Sequence, residues 1–171
     1  MILGSELRGY QVFDSLGEKV GKVKYAVVDT SKEEWFVKEI VFSWGIMKGT
    51  GVFSFEDIES LDENEEIIEL KERAELREFD KENFSHRYLS MDAVGDRDVF
   101  SSDEEEIGKI YDYVLATKLT PWQVTKLLIK PQGDILKGRR IRLDVENISQ
   151  IKDVITVKQS KAQIDKTASE D

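Results

Sequence analysis

Apolar residues along this chain gather in short runs broken by polar, turn-forming stretches, and the runs are rich in β-branched and aromatic side chains. Lys22 to Asp29 and Ile110 to Leu115 are rich in Val and Tyr, and Trp35 to Phe42 and Trp122 to Ile129 add Trp, Phe and Ile, so all four segments predict strands. Gly17 with Gly21, and the acidic run Asp103 to Glu106 before Gly108, predict hairpin turns. Thr30 to Glu34 reads as a polar connection. Phe55 to Leu61 and Val145 to Ile151 are too short for periodicity to separate a helical turn from a strand. Glu66 to Leu70 and Val154 to Val157 predict one more strand each.

These elements come twice. A shift of 87 residues lays Val12-Phe13 on Val99-Phe100, Val20-Gly21-Lys22-Val23 on Ile107-Gly108-Lys109-Ile110, Trp35 on Trp122, and Ile40-Val41-Phe42 on Leu127-Leu128-Ile129. The shift becomes 90 at Phe55-Glu56-Asp57-Ile58 on Val145-Glu146-Asn147-Ile148, then returns to 87 at Ile67-Ile68 on Val154-Ile155. The insertions fall in polar, turn-like stretches near 130–140 and 62–66, as a duplication predicts. The expected fold is all-β: two tandem small β-barrels, because closing a sheet of short strands removes its exposed edges. The expected organisation is a first barrel over residues 1–70, a charged linker over 71–88, a second barrel over 89–158 and a disordered tail over 159–171. In the linker, a short helix packing Phe79 on a barrel and a solvated connector are both open, and the two barrels are expected to fold separately.

The opening string Leu7-Arg8-Gly9-Tyr10-Gln11-Val12-Phe13-Asp14-Ser15-Leu16-Gly17-Glu18-Lys19-Val20-Gly21-Lys22-Val23, continuing through Val27-Val28-Asp29, resembles the start of a PRC-barrel domain. The second copy keeps Gly108 and its apolar neighbours but carries Glu104 at the turn glycine and Ala116 at the aspartate after the strand. The resemblance implies an adaptor barrel with no shared catalytic residues. It is similar to stand-alone archaeal proteins of the family, some of which act in cell division with FtsZ and its membrane anchor SepF. It thus implies a SepF-like division protein as partner and a cytoplasmic place at the division site. The family also includes the C-terminal half of the ribosome maturation factor RimM, so an RNA-associated factor is the alternative.

Composition narrows the chemistry. The chain has 171 residues with 35 acidic and 25 basic side chains, for a net charge of −10, which argues against a non-specific nucleic-acid binder. There is no cysteine and one histidine, His86, so thiolate catalysis, Cys-ligated metals and two-His sites are excluded. Met1 to Glu6 lacks a signal peptide's charged and apolar regions, and the run Ile40 to Met47 is far too short to span a bilayer, so no direct membrane insertion is expected. Gly17 to Val23 has only three residues between its glycines and Val23 where a phosphate loop needs Ser or Thr, so it reads as a hairpin. The acidic runs at 62–66 and 103–106 lack the alternating ligands of a calcium loop. No catalytic, cofactor or metal residues are assigned, and the expectation is a non-enzymatic scaffold.

Two stretches are left as partner-binding candidates. Trp44, Ile46 and Met47 lie in an apolar, glycine-rich turn of the first copy; such residues are enriched at interface cores, and a partner contact and a hairpin that folds back on its own barrel are both open. The matching turn of the second copy is basic, with Lys137, Arg139, Arg140 and Arg142 close together. Residues 1–70 carry 7 basic and 15 acidic side chains, whereas residues 85–158 carry 12 of each. That asymmetry predicts a homo-oligomer or head-to-tail filament, with acidic copy on basic hairpin.

Overall fold

The computed structural model describes residues 1–45, 49–80, 88–132, 139–167 and 169–170. The first copy forms β1 (Ile2–Leu3), α1 (Gly4–Leu7), β2 (Gln11–Phe13), β3 (Lys19–Asp29), β4 (Trp35–Ser43), β5 (Thr50–Ser54), β6 (Ile58–Asp62), β7 (Ile67–Leu70) and β8 (Arg77–Glu78). The second forms β9 (Tyr88–Ser90), β10 (Asp98–Phe100), β11 (Glu106–Ala116), β12 (Gln123–Pro131), β13 (Arg139–Asp144), β14 (Ile148–Ile151), β15 (Ile155–Val157), α2 (Lys161–Thr167) and β16 (Ser169–Glu170). Each ambiguous segment contains both of its readings: a 3-10 turn, Phe55–Asp57 or Val145–Asn147, followed at once by a strand.

The fold is mostly β, and its strands form one mixed sheet. The hydrogen-bonded path runs β14-β15-β10-β11-β12-β4-β3-β2-β7-β6. It reads the same from both ends once the repeat is applied, and β5 and β13 flank β4 and β12 in the same way. The pairs β2–β7 and β10–β15 are parallel, and the other pairs along the path are antiparallel.

Two expectations are corrected. First, the ladder does not close into barrels: the path is open at β14 and β6. The reason lies at the 3-10 turns. β5 passes through Phe55–Asp57 directly into β6, and β13 through Val145–Asn147 into β14. The covalent chain turns that corner, and β5 pairs with β4 and β8, not with β6.

Second, the copies share one core. β5 pairs with β4 only from Glu39 to Ser43, which leaves the other end of that edge open. The second copy fills it, with Gln123 opposite Phe36 and Val124 opposite Trp35, while the Val37 N–H donates to the Trp122 carbonyl at 2.8 Å. Phe36 and Gln123 are themselves equivalents, so a pseudo-twofold axis passes between them. The segments preceding each copy are exchanged across the same axis. β1 pairs with β11 (Ile2 with Leu115, Leu3 with Val114), and β9 pairs with β3 (Leu89 with Val28, Ser90 with Val27). Each copy alone would expose these strand edges, and the other copy covers them. The main buried cluster accordingly mixes Val28, Trp35 and Phe42 with Leu115, Trp122 and Ile129.

The connecting segments also differ from expectation. Among the described residues of 71–80 there is no helix; β8 adds to β5, and the Phe79 ring meets Tyr25 edge-on at 6.2 Å between centroids. The tail expected to be disordered carries α2, whose Ile164 is buried in the shared core, and β16, which pairs with β13. A single well-placed apolar residue in a polar stretch is enough to dock a helix whose other faces remain wet.

Candidate functional site

The outer face of β11, β12 and β13 holds a groove of about 410 Å³. Strand alternation builds it. Val114 on β11 and Leu128 on β12 form its floor with Leu3 of the exchanged β1, and Leu128 lies opposite Arg142 of β13. Arg140, two residues earlier on β13, places its guanidinium 6.0 Å from the centre of the Tyr111 ring. Lys126 also reaches the groove, where it pairs with Asp144 in an exposed, weak ion pair. Glu6 stands at the N-terminal rim, and its carboxylate accepts the Leu3 N–H at 2.7 Å. In a chain of net charge −10 this is a local gathering of cations on an apolar floor.

The sequence candidates fall in four places. Arg140 and Arg142 line the groove. Arg139 lies on the same strand, in register with Glu170 of β16. Trp44 is half-buried against the core, as the fold-back reading has it: its ring lies 5.7 Å from Phe42, and its backbone N–H donates to the Gly49 carbonyl at 2.8 Å. Ile46, Met47 and Lys137, together with His86, lie outside the described residues. Sequence reasoning missed Tyr111 and Lys126. The signal was available in the repeat, because Lys24 becomes Tyr111, Glu39 becomes Lys126 and Val52 becomes Arg142 between copies.

A second cavity of about 220 Å³ lies where the copies meet, between α1, β3 and β11. Its polar groups engage one another. Asp112 accepts hydrogen bonds from the Ser5 N–H and hydroxyl, and Arg8 pairs with Asp92 at 3.6 Å. Tyr113 is buried beside Gly4, where a Cβ would come within 2.1 Å of its ring, so glycine is what lets the tyrosine pack. This junction reads as a structural joint.

Burial raises the Tyr113 phenol well above its ordinary value of 10.0. The folded state therefore favours the neutral form. That preference contributes in full below pH about 10 and is lost as pH climbs from there toward the raised value. Tyr113→Phe should flatten the fall in stability above pH about 10 and leave the pH dependence near neutrality unchanged, which urea titrations at stepped pH would measure.

Among the described residues no group of three or more acidic or histidine side chains is placed to hold a metal ion, and no helix is long and apolar enough to cross a membrane. Compared with known proteins, the chain matches no protein-family model and no curated sequence.

Proposed function

We propose that this chain is a non-enzymatic protein–protein adaptor built from two PRC-barrel-like units, acting at the archaeal division site with a SepF-like or FtsZ-bound partner. The groove on the second copy is the observation that carries the adaptor reading. It offers an apolar floor for an anchoring side chain and cations at its rim for carboxylates, the combination found where a protein partner supplies both. The barrel-like reading draws on the repeated ladder order and on the 3-10 corners that bring the two ends of each six-strand ribbon together through the chain itself. The family and the division machinery rest on the resemblance of Leu7 to Asp29 and its second copy.

The test is binding of the full-length chain to purified archaeal SepF and FtsZ by biolayer interferometry, beside a variant with Arg140→Glu and Arg142→Glu. The wild type should bind one of them, and the reversal should weaken binding at least about tenfold while the melting temperature shifts by only a few degrees, as expected for exposed charges. Equal binding by both proteins would remove the groove from the reading. Salt-dependent binding of an RNA oligonucleotide, with no protein bound, would favour the ribosome-maturation alternative instead. Sedimentation velocity on the same samples decides whether the acidic first copy of another molecule is itself the partner.

A further inference from the structure

The two outer faces of the molecule are equivalents, and they are covered to different degrees: Val114 and Leu128 of the second copy are 9% and 7% exposed. In the first copy Val27, Val41 and Val52 are 0%, 0% and 4% exposed, beneath Tyr25, Phe79 and Tyr88. Phe79 arrives on the strand that extends the sheet. β8 places Arg77 opposite Val52 and Glu78 opposite Gly51, and the next residue, Phe79, donates its N–H to the Thr50 carbonyl at 3.0 Å.

The second copy repeats the strand arrangement without the rings, with Asp112 and Met1 as the equivalents of Tyr25 and Tyr88. Val114, Leu128 and Arg142 are the equivalents of Val27, Val41 and Val52, and the register agrees, since Val41 faces Val52 and Leu128 faces Arg142. The segment after β15 also returns to the sheet, with Ser169 of β16 opposite Arg140, the equivalent of Thr50. Ser169 thus holds the register position of Phe79. No aromatic residue occurs between Lys158 and Asp171. The backbone place is taken, no aromatic residue accompanies it, and the groove over Val114 and Leu128 remains.

We infer that the groove takes an aromatic side chain from an extended, acidic segment of a partner protein, doing for the second copy what Phe79 does for the first; this rests on the adaptor reading above. The ring would lie on Val114 and Leu128 beside Tyr111, and flanking carboxylates would meet Arg140 and Arg142. The chain's own tail is present at high effective concentration, so a purely acidic segment gains nothing by displacing it. A segment bearing a ring brings an aromatic surface that the tail's sequence does not contain. The tail of a second copy has the same sequence and is excluded as the occupant for that reason.

The probe is an acetylated, fluorescein-labelled heptapeptide with a central phenylalanine between two runs of three glutamates, titrated with the full chain and read by anisotropy. A second peptide carries serine in place of phenylalanine. The phenylalanine peptide should bind in the micromolar range and the serine peptide at least tenfold more weakly. Ser169→Phe, which supplies the ring in cis, should weaken the phenylalanine peptide at least tenfold and raise the melting temperature. Should that variant fold poorly, Arg142→Val restores the first copy's residue and should remove most of the salt dependence of binding. Equal affinity for the two peptides, or unchanged affinity in Ser169→Phe, overturns the aromatic site while leaving a basic docking face intact. Absence of binding by either peptide overturns this inference alone if SepF or FtsZ still binds in an Arg140- and Arg142-dependent way, and the adaptor reading falls with it if neither does.

Discussion

Trp122→Ala should weaken both halves of the chain together, by about 3–5 kcal/mol. Trp122 is 5% exposed, and its ring lies edge-on to Phe55 of the other copy at 5.3 Å between centroids. Its carbonyl accepts the Val37 N–H, and its neighbour Val124 pairs with Trp35. Removing the indole opens a cavity in the cluster that both copies share. A domain of this size is stable by only about 5–15 kcal/mol, so the loss is a large fraction of the total. Urea unfolding followed by far-UV circular dichroism and by the fluorescence of Trp35 and Trp44 should give coincident transitions that move together. Two separate transitions, with only the later residues affected, would show that the copies fold independently after all. Trp35→Ala tests the same axis from the other side and should have a cost of similar size.

Gly21→Ala and Gly108→Ala should each cost about 1–3 kcal/mol, the range for forcing atoms into a filled site. A Cβ at Gly21 would stand 1.9 Å from the Ser43 carbonyl oxygen, and one at Gly108 would stand 2.1 Å from that of Lys130. Both obstacles are backbone, and both occupy the same place in the repeat. Neither can swing aside as a side chain would, so β3 must part from β4, or β11 from β12. Gly95→Ala is the control, because its nearest neighbour, the Asp92 oxygen at 3.6 Å, is at ordinary contact distance. It should be neutral or slightly stabilising through the unfolded chain. Similar losses at all three positions in thermal melts would refute the close-approach explanation.

The repeat and the strands were legible because both are local. Trp35 to Phe42 became β4 with one residue added, and the turn at Asp103 to Glu106 formed even though its left-handed position is Glu104, at φ +60°, where the first copy has Gly17 at φ +79°. The Phe55 and Val145 motifs stayed ambiguous because each is a 3-10 turn run straight into a strand, and no window of that length has a single period. The tail was misread for a different reason. Composition averages over residues 159–171, whereas the docking of α2 depends on Ile164 alone.

By itself the sequence determined that the chain is a duplicated β unit, where its strands fall, and that the second copy gathers cations in one hairpin, whereas the reading of Gly21 as a turn residue gave way to a place inside β3. It also held the differences that matter at the groove, as Tyr111, Lys126 and Arg142 in place of Lys24, Glu39 and Val52. Only the tertiary structure decided what those differences border. Hydrophobic pattern states which face of a strand is buried, and says nothing about which strand will lie along its edge, because backbone N–H and C=O groups pair without regard to side chain. The exchange of β1 and β9, the Phe36–Gln123 axis and the unequal covering of two equivalent faces all follow from edge pairing between segments far apart in the chain.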